Sequence, residues 1–174
     1  MTSERIYLRR LQAADREPFL AMCHASRALH HPWISPPMSP RAFDAYVARL
    51  QQEDHAGFLV CDKQTHAIAG VINLNNIVRG TFLSASLGYY CAAGFTGQGY
   101  MEEGLNRVCD YAFRTMGLHR LEANIQPDNS RSIRLVQRCG FRREGLSPAF
   151  LFIEGAWRDH ERWCRIDNRT GMTP

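Results

Sequence analysis

The spacing of hydrophobic and polar positions changes several times along the chain, and each change marks a predicted element. Alternation over residues 5–11 predicts a first strand, and helical spacing follows over residues 15–28, with Asp15 as the cap. Four prolines within residues 30–40 predict a loop. Ser39, followed by Pro40, then caps a second helix that extends to about residue 53.

The middle of the chain has the alternation of strands. Apolar strands are predicted at residues 57–62 and 67–76, joined as a hairpin, and a long strand at residues 81–92. An amphipathic helix then begins after Gly99 and ends at Gly117.

The C-terminal part predicts further strands around one helix. A strand is predicted at residues 120–126, and a helix capped by Asp128 or Asn129 ends at Gly140. Residues 150–166 predict two strands around a turn at residues 154–155. The order of elements predicts a single α+β domain over residues 1–174, with its core in residues 5–166 and a mostly antiparallel sheet flanked by helices.

Composition and charge narrow the class of protein. The 174-residue chain has a formal net charge of +4, which suits an anionic ligand but is too small and scattered to indicate nucleic-acid binding. No apolar run reaches the roughly 18 residues of a membrane span, and the N-terminus lacks the apolar core of a secretion signal. The six cysteines form no C-x-x-C pair, and His30 and His31 have no evident third ligand. We therefore expect a cytoplasmic protein with reduced cysteines and no metal.

Three glycines, Gly94, Gly97 and Gly99, precede the central predicted helix. Unpaired N–H groups at a helix start attract phosphate, and glycine lets an anion approach the backbone; a tight turn into the helix is the alternative explanation. The spacing excludes a P-loop, which requires a lysine after its last glycine. The dinucleotide-binding fingerprint also fails, because Glu102 stands at its third glycine position.

Three segments of the chain, in order, contain motifs of one known family. The segment GFTGQGY resembles motif A of the GNAT acyltransferases, usually Q/R-x-x-G-x-G/A, with Gly94 in place of Gln or Arg. The segment PDNSRSIRLVQRCGFRREG resembles the family's N-x-x-S…L-x-x-x-G-F motif, and FLFIEGAWRDHERW is similar to the last hairpin of the Rim-type ribosomal-protein alanine N-acetyltransferases. The similarity extends over about residues 5–166. The resemblance implies the GNAT fold and an enzyme that uses acetyl-CoA.

The resemblance also implies where acetyl-CoA would bind. The pyrophosphate would contact backbone amides at the helix start, namely those of Gly97, Gln98, Gly99, Tyr100 and Met101. The pantetheine arm would pair with the preceding strand as an added strand does, beside Tyr89, Tyr90 and Cys91.

Two further contacts to acetyl-CoA are expected from the same resemblance. Asn129 would hydrogen-bond the pantetheine arm, and a helix cap is a compatible second role for its side chain. Arg131, Arg134 and Arg138 share one face of their helix, which either is solvated or meets the 3′-phosphate of CoA. Of these three, Arg138 is the predicted contact.

The chemistry needs a neutral amine and a proton for the departing thiolate. Ser132 matches the serine that the Rim-type family uses near the sulfur, although its hydroxyl could instead bond within the helix. Related enzymes place a glutamate base where this chain has Ser86 and Asn124, so Glu122, on the same strand face as Asn124, is the nearest carboxylate. Water held by Ser86, Asn124 and Tyr90 is the competing hypothesis, and no base is assigned.

The acceptor is expected to be a protein N-terminus, as in the ribosomal-protein alanine enzymes, with direct attack in a ternary complex. At pH 7 roughly one α-amino group in ten is neutral, against about one lysine in a few thousand, so an N-terminus needs little help from a base. A small amine acceptor and a non-catalytic acyl-CoA-binding module are the alternatives. Cys91 could form an acyl-enzyme, but a small strand residue is the preferred interpretation. Either a monomer or a homodimer is compatible with the sequence.

Overall fold

The computed structural model describes residues 5–169, which form one seven-stranded sheet with helices on both faces. The strands are β1 (Ile6–Arg10), β2 (Ala56–Asp62), β3 (Ile68–Val78), β4 (Ser84–Cys91), β5 (Arg120–Ile125), β6 (Arg142–Ile153) and β7 (Ala156–Ile166). The helices are α1 (Arg16–Ala25), α2 (Arg27–His30), α3 (Pro40–Leu50), α4 (Tyr100–Arg114) and α5 (Ser130–Arg138). The strand order is β1-β2-β3-β4-β5-β7-β6, and only β4 and β5 pair in parallel within this sheet of residues 5–169. The predicted α+β fold with a mostly antiparallel sheet is confirmed.

The sheet separates two hydrophobic cores. On one side, which we call the α4 face, Leu105 of α4 packs in one cluster with inward residues of the strands such as Ile72. On the other side, which we call the α1/α3 face, Phe19 of α1 and Phe43 of α3 cluster with Val71. Because side chains alternate along a strand, each position of β3, β4 and β5 can be assigned to one of these two faces.

Helix α4 lies unusually close to the sheet at one position. A Cβ on Gly104 would lie 2.7 Å from Cγ2 of Val60, so only glycine fits there without displacing the strand. The helix ends at Arg114, and Gly117 has a left-handed φ of 68°, as a helix-terminating glycine does. The predicted ending is thus confirmed within three residues.

The predicted helix over residues 15–28 is wrong in two details. Asp15 does not cap α1 with its side chain; its carboxylate instead accepts two hydrogen bonds from Arg9, at 2.9 and 2.7 Å. The helix is also interrupted at Ser26, whose hydroxyl accepts the N–H of Ala93 at 2.9 Å. A contact to a residue 67 positions away therefore overrides the local helical pattern.

The last hairpin is longer than predicted. Its first strand, β6, begins at Arg142 rather than near residue 150. Gly145 and Pro148 weaken the strand pattern, but the strand pairs with β7 across two register shifts that accommodate them. No helix among residues 5–169 is long and apolar enough to cross a membrane.

Candidate active site

Strands β4 and β5 diverge partway along the sheet. Their parallel pairing runs from Ser84 opposite Arg120 to Leu87 opposite Ala123 and stops there, although β4 continues to Cys91. Ala92 donates its N–H to the carbonyl oxygen of Ala69 on β3 at 2.8 Å. Because the backbone N–H and C=O groups of successive strand residues point to opposite sides, those of Tyr89, three residues earlier, point away from β3 and toward the gap. We call this opening between the ends of β4 and β5 the gap. An extended chain can pair with the exposed edge of β4 there.

The glycine turn lies at the end of β4 and leads directly into α4. Gly97 and Gly99 have left-handed φ values of 72° and 83°, which glycine adopts without strain. The first backbone hydrogen bond of α4 is donated by the N–H of Glu103 to the carbonyl oxygen of Gly99 at 3.1 Å. The N–H groups of the first helical turn, including those of Tyr100 and Met101, therefore point out of the helix end and can bind an anion.

Tyr100 anchors this helix start to the sheet. Its hydroxyl donates to Oδ2 of Asp62, at the end of β2, and the guanidinium of Arg5 lies 4.8 Å from its ring centre. The Asp62 carboxylate also accepts the backbone N–H groups of Gln64 and Thr65, at 2.7 and 2.8 Å. Hydrogen bonds, chiefly that of Tyr100, lower the pKa of Asp62 to about 2. The orientation of the glycine turn therefore depends on the charged carboxylate of Asp62.

Ser132, the predicted proton donor, lies on the α4 face beside the gap. Its hydroxyl oxygen is 2.7 Å from the hydroxyl of Tyr89, and its backbone N–H donates to Oδ1 of Asn129 at 3.2 Å. The cap role of Asn129 is therefore confirmed. Burial raises the pKa of Tyr89, so this phenol stays protonated at neutral pH.

The opposite, α1/α3 face of the gap is polar. Asn75 of β3 pairs directly with Ser86 of β4, and Nδ2 of Asn124 on β5 lies 3.4 Å from Oγ of Ser86. The Oδ1 atoms of Asn75 and Asn124 are buried and accept no hydrogen bond from residues 5–169. Ser86 and Asn124 thus meet as predicted, but the sequence did not identify Asn75, because only the strand register brings it to Ser86.

Tyr90, the third residue predicted to hold water, faces a different neighbour. Its hydroxyl lies 3.4 Å from that of Tyr46 on α3, which also donates to Oδ1 of Asn73 at 2.8 Å. Burial raises the pKa of Tyr90. This network holds α3 on the sheet, and it gives Tyr90 a structural partner that residue spacing does not reveal.

Glu122, the nearest predicted carboxylate, is ion-paired. It lies 2.9 Å from Nε and 2.8 Å from Nη2 of Arg120, and the same guanidinium binds Glu144 of β6. These contacts lower the pKa of Glu144 to about 2, with Arg120 as the main cause. Arg120 therefore neutralises one carboxylate on β5 and one on β6, a role that the sequence did not indicate.

The proline-rich loop connects α2 to two parts of the site. His30 donates from Nε2 to the carbonyl oxygen of Cys91 at 2.8 Å, and burial lowers the pKa of this imidazole. His31 lies 2.9 Å from the carboxylate of Glu154 in the turn between β6 and β7. No cluster of three or more potential metal ligands occurs within residues 5–169. These histidines thus shape the site by contacts that join distant segments.

Cys91 and Arg138 have protein partners of their own. Burial raises the pKa of the Cys91 thiol to about 11, and its sulfur lies 3.3 Å from the carbonyl oxygen of Ala92. Nε of Arg138 donates to Glu102 in the first turn of α4 at 2.7 Å. Arg138 also lines a cavity of about 490 Å³ between α4, α5 and β7, which is separate from the gap. The predicted contact of Arg138 with a phosphate would have to compete with Glu102.

Comparison with known proteins connects this geometry to a family. A family model described as an acetyltransferase (GNAT) domain matches residues 5–142. The [Ribosomal protein uS5]-alanine N-acetyltransferase of Escherichia coli is 42% identical over 103 residues, 59% of this chain and 53% of that protein. The spermidine N(1)-acetyltransferase of Vibrio cholerae is 27% identical over 173 residues, 96% of each chain.

A solved structure supports the same assignment. Mycobacterium smegmatis RimJ in complex with CoA-disulfide superposes with a TM-score of 0.86 at 25% identity, covering 97% of this chain and 85% of that one. The family model includes β4, the glycine turn, β5 and α5, which are the elements that surround the gap. This chain therefore belongs to the GNAT acetyltransferase family and is an N-acetyltransferase.

Proposed function

We propose that this enzyme transfers the acetyl group of acetyl-CoA to the N-terminal α-amino group of a protein. The relative with the highest identity quoted above acts on the alanine of a ribosomal protein, and the superposed RimJ structure contains a CoA derivative. The amides of residues 97–101 would bind the pyrophosphate, and the pantetheine arm would lie along Tyr89, Tyr90 and Cys91. The N–H groups at the start of α4 and the edge of β4 at Tyr89 fit these two parts of the molecule, whereas the carbonyl oxygen of Cys91 on the same edge already accepts a hydrogen bond from His30.

The charge of the cluster around Arg120 is the observation that favours an N-terminus over a polyamine, because Glu122 of this cluster lies opposite Ser86, one pair before the gap. Arg120 binds both Glu122 and Glu144, and Arg162 contributes to lowering the pKa of Glu144. Two carboxylates therefore face two guanidinium groups, and this cluster has no net negative charge. A polyamine with several positive charges is recognised by unpaired carboxylates, whereas an α-amine carries at most one charge.

The transfer would be direct. The neutral amine nitrogen attacks the thioester carbon; the N–C bond forms, the C–S bond breaks, and its electron pair goes to sulfur. The nitrogen releases one proton to solvent once the C–S bond has broken, and the thiolate takes one from the Ser132 hydroxyl, which regains it from solvent. Because an α-amino group has a pKa of about 7.7–8.0, a neutral fraction exists without a strong base. Glu122 is less suited to that role, since Arg120 binds its carboxylate.

The test is a substrate panel with the purified enzyme and acetyl-CoA. We expect an alanine-starting peptide to be acetylated on its α-amine, detected by mass spectrometry, and a peptide blocked at its N-terminus to remain unchanged. Spermidine and free amino acids are the competing acceptors. Rapid turnover of spermidine with no turnover of peptides would reject the proposed acceptor, and no turnover of any amine would favour a binding module.

A variant of Arg120 tests the charge argument itself. In Arg120→Gln, Glu122 and Glu144 lose their shared cation, so we expect kcat/KM for spermidine to rise roughly 2- to 10-fold relative to the peptide. Arg114→Gln, at the exposed end of α4, is the matched control and should leave the ratio unchanged. An unchanged ratio in Arg120→Gln would mean that these carboxylates do not influence acceptor choice.

A further inference from the structure

Besides Nδ1 of His30 on α2, three buried polar side-chain atoms of β3, β5 and the residue after β5 have no partner among residues 5–169. They are Oδ1 of Asn75, Oδ1 of Asn124 and Nε2 of Gln126. Buried polar groups are almost always hydrogen-bonded, because an unpaired one loses its contact with water and gains nothing in return. The two amide oxygens can accept hydrogen bonds, and the Gln126 nitrogen can donate one, to a ligand that carries two N–H groups and one carbonyl oxygen.

These three side chains lie on one side of the sheet. Asn75 pairs with Ser86 across β3 and β4, and the Asn124 amide lies 3.4 Å from the Ser86 hydroxyl, so both asparagines flank Ser86. Gln126 follows Asn124 by two residues, directly after the end of β5, which continues the alternation onto the same face. Residues 121, 123 and 125 belong to the hydrophobic cluster on the α4 face, which places the three polar side chains on the α1/α3 face.

Gly88 of β4 lies beside the side chain of Asn75. It is the first residue of β4 beyond the last pair with β5, and a Cβ there would lie 3.2 Å from Nδ2 of Asn75. The lack of a side chain keeps the space over β4 open where the gap begins. The backbone of β4 at Gly88 therefore carries no side chain between Asn75 and the edge of the gap.

We propose that Asn75 and Asn124 accept the two N–H groups of the acceptor amine, and that Gln126 donates to the first carbonyl oxygen of the same acceptor. This inference rests on the proposed acetyl transfer and specifies the acceptor as an amine with a neighbouring carbonyl, which is the structure of a peptide N-terminus. A polyamine has no carbonyl oxygen for Gln126. The two amide oxygens bind both N–H groups of a neutral amine and leave its lone pair free to face the gap.

Amide oxygens suit this role better than carboxylates. A carboxylate beside the amine would favour the ammonium form and raise the pKa of the acceptor, which would reduce the neutral fraction that can attack. Neutral amide oxygens orient the amine with a smaller effect of that kind. The side chains of Asn75 and Asn124 are thus positioning residues for the nitrogen, and Gln126 is a specificity residue.

The experiment measures peptide binding separately from catalysis. The dissociation constant of an alanine-starting peptide is measured by calorimetry with protein saturated with CoA, for wild type and for Asn75→Ala, Asn124→Ala and Gln126→Ala. We expect each variant to weaken peptide binding about tenfold, the loss of one or two hydrogen bonds, while the dissociation constant of CoA stays the same. Asn168→Ala, at an exposed position after β7, is the matched control and should change neither constant.

A second probe tests Gln126 specifically. The peptide is replaced by an amine of the same length whose first carbonyl is reduced to a methylene group. Gln126→Ala should weaken the peptide about tenfold and leave the reduced amine unaffected, whereas Asn75→Ala and Asn124→Ala should weaken both.

Three results would overturn this inference: no peptide binding by the wild type, peptide affinity unchanged in the asparagine variants, or CoA affinity that falls in parallel with peptide affinity. Equal effects of Gln126→Ala on the two probes would remove the specificity role of Gln126. Failure of the proposed function is a separate observation, since it would appear as peptide binding without acetyl transfer.

Discussion

The hydroxyl of Tyr89 on β4 and that of Ser132 on α5 lie 2.7 Å apart. Burial raises the pKa of Tyr89, so the phenol keeps its proton and can donate it to Oγ of Ser132. The Ser132 hydrogen is then free to point toward another acceptor beside the gap. This arrangement suits a serine that gives a proton to a departing thiolate.

Ser132→Ala should lower kcat. A general acid contributes a factor of about 10² to 10⁴, and a thiol with a pKa near 8.5 leaves easily, so we expect a decrease on the order of 10²-fold. The KM for acetyl-CoA should change little, because the backbone N–H of residue 132 still donates to Asn129. Steady-state kinetics at saturating peptide measure the effect, and full retention of kcat would exclude Ser132 as the acid.

Tyr89→Phe separates orientation from proton donation. The variant removes the hydrogen bond to Ser132 and keeps the buried ring, so we expect kcat to fall about 3- to 10-fold, less than in Ser132→Ala. If Tyr89 were itself the proton donor, its removal would cost as much as that of Ser132. If Tyr89 acts by orienting Ser132, the kcat of the double variant should equal that of Ser132→Ala, because the two hydroxyls act as one unit.

Cys91→Ala should retain most of the activity. The pKa of its thiol is raised to about 11 by burial, so almost no thiolate exists at pH 7 to attack acetyl-CoA. Initial rates measured against both substrates should give intersecting lines, as expected for a ternary complex. Parallel lines, together with a Cys91→Ala variant that loses activity, would instead establish an acyl-enzyme.

Periodicity identified the seven strands and the central helices, because each buries one face in a regular core. It failed where a distant partner decides the local structure. The break at Ser26 depends on the N–H of Ala93, and the early start of β6 at Arg142 depends on its pairing with β7. No local pattern contains that information.

The sequence predicts only those parts of the candidate site whose residues lie close together along the chain. The glycine turn is one short motif, and Asn129 and Ser132 belong to another, so their positions at the starts of α4 and α5 follow from local sequence. The position of Asn75 opposite Ser86 depends on the register of β3 with β4. The pairing of Glu122 with Arg120 likewise depends on the conformation of their side chains on the assembled sheet. Residues contributed by different strands are therefore the ones that sequence reading missed.

Gly97→Ala tests whether the turn before α4 binds the pyrophosphate. Gly97 has a φ of 72°, a conformation that costs a residue with a Cβ roughly 1–2 kcal/mol, although no atom lies within 4 Å of the added methyl group. We expect the dissociation constant of acetyl-CoA, measured by calorimetry, to rise about tenfold. Gly94→Ala is a matched control in the same segment, because its methyl group also meets nothing within 4 Å and its φ lies outside the left-handed region. Equal effects of the two substitutions would argue against a specific turn conformation.

Asp62 should make stability depend on pH in the acid range. Its pKa is lowered from 3.8 to about 2, chiefly by the hydroxyl of Tyr100, so the ionised carboxylate stabilises the folded state fully above pH 3.8. That contribution is lost as the pH falls through 2, because the folded protein must then take up a proton that the unfolded chain has already bound. We expect the free energy of unfolding of Asp62→Asn, from urea titrations, to approach that of wild type as the pH is lowered from 4 to 2. Asp128→Asn, at an exposed position before α5, is the control and should give a difference that does not vary in this way. A constant difference between Asp62→Asn and wild type over the same range would show that the bond to Tyr100 does not depend on the charge of Asp62.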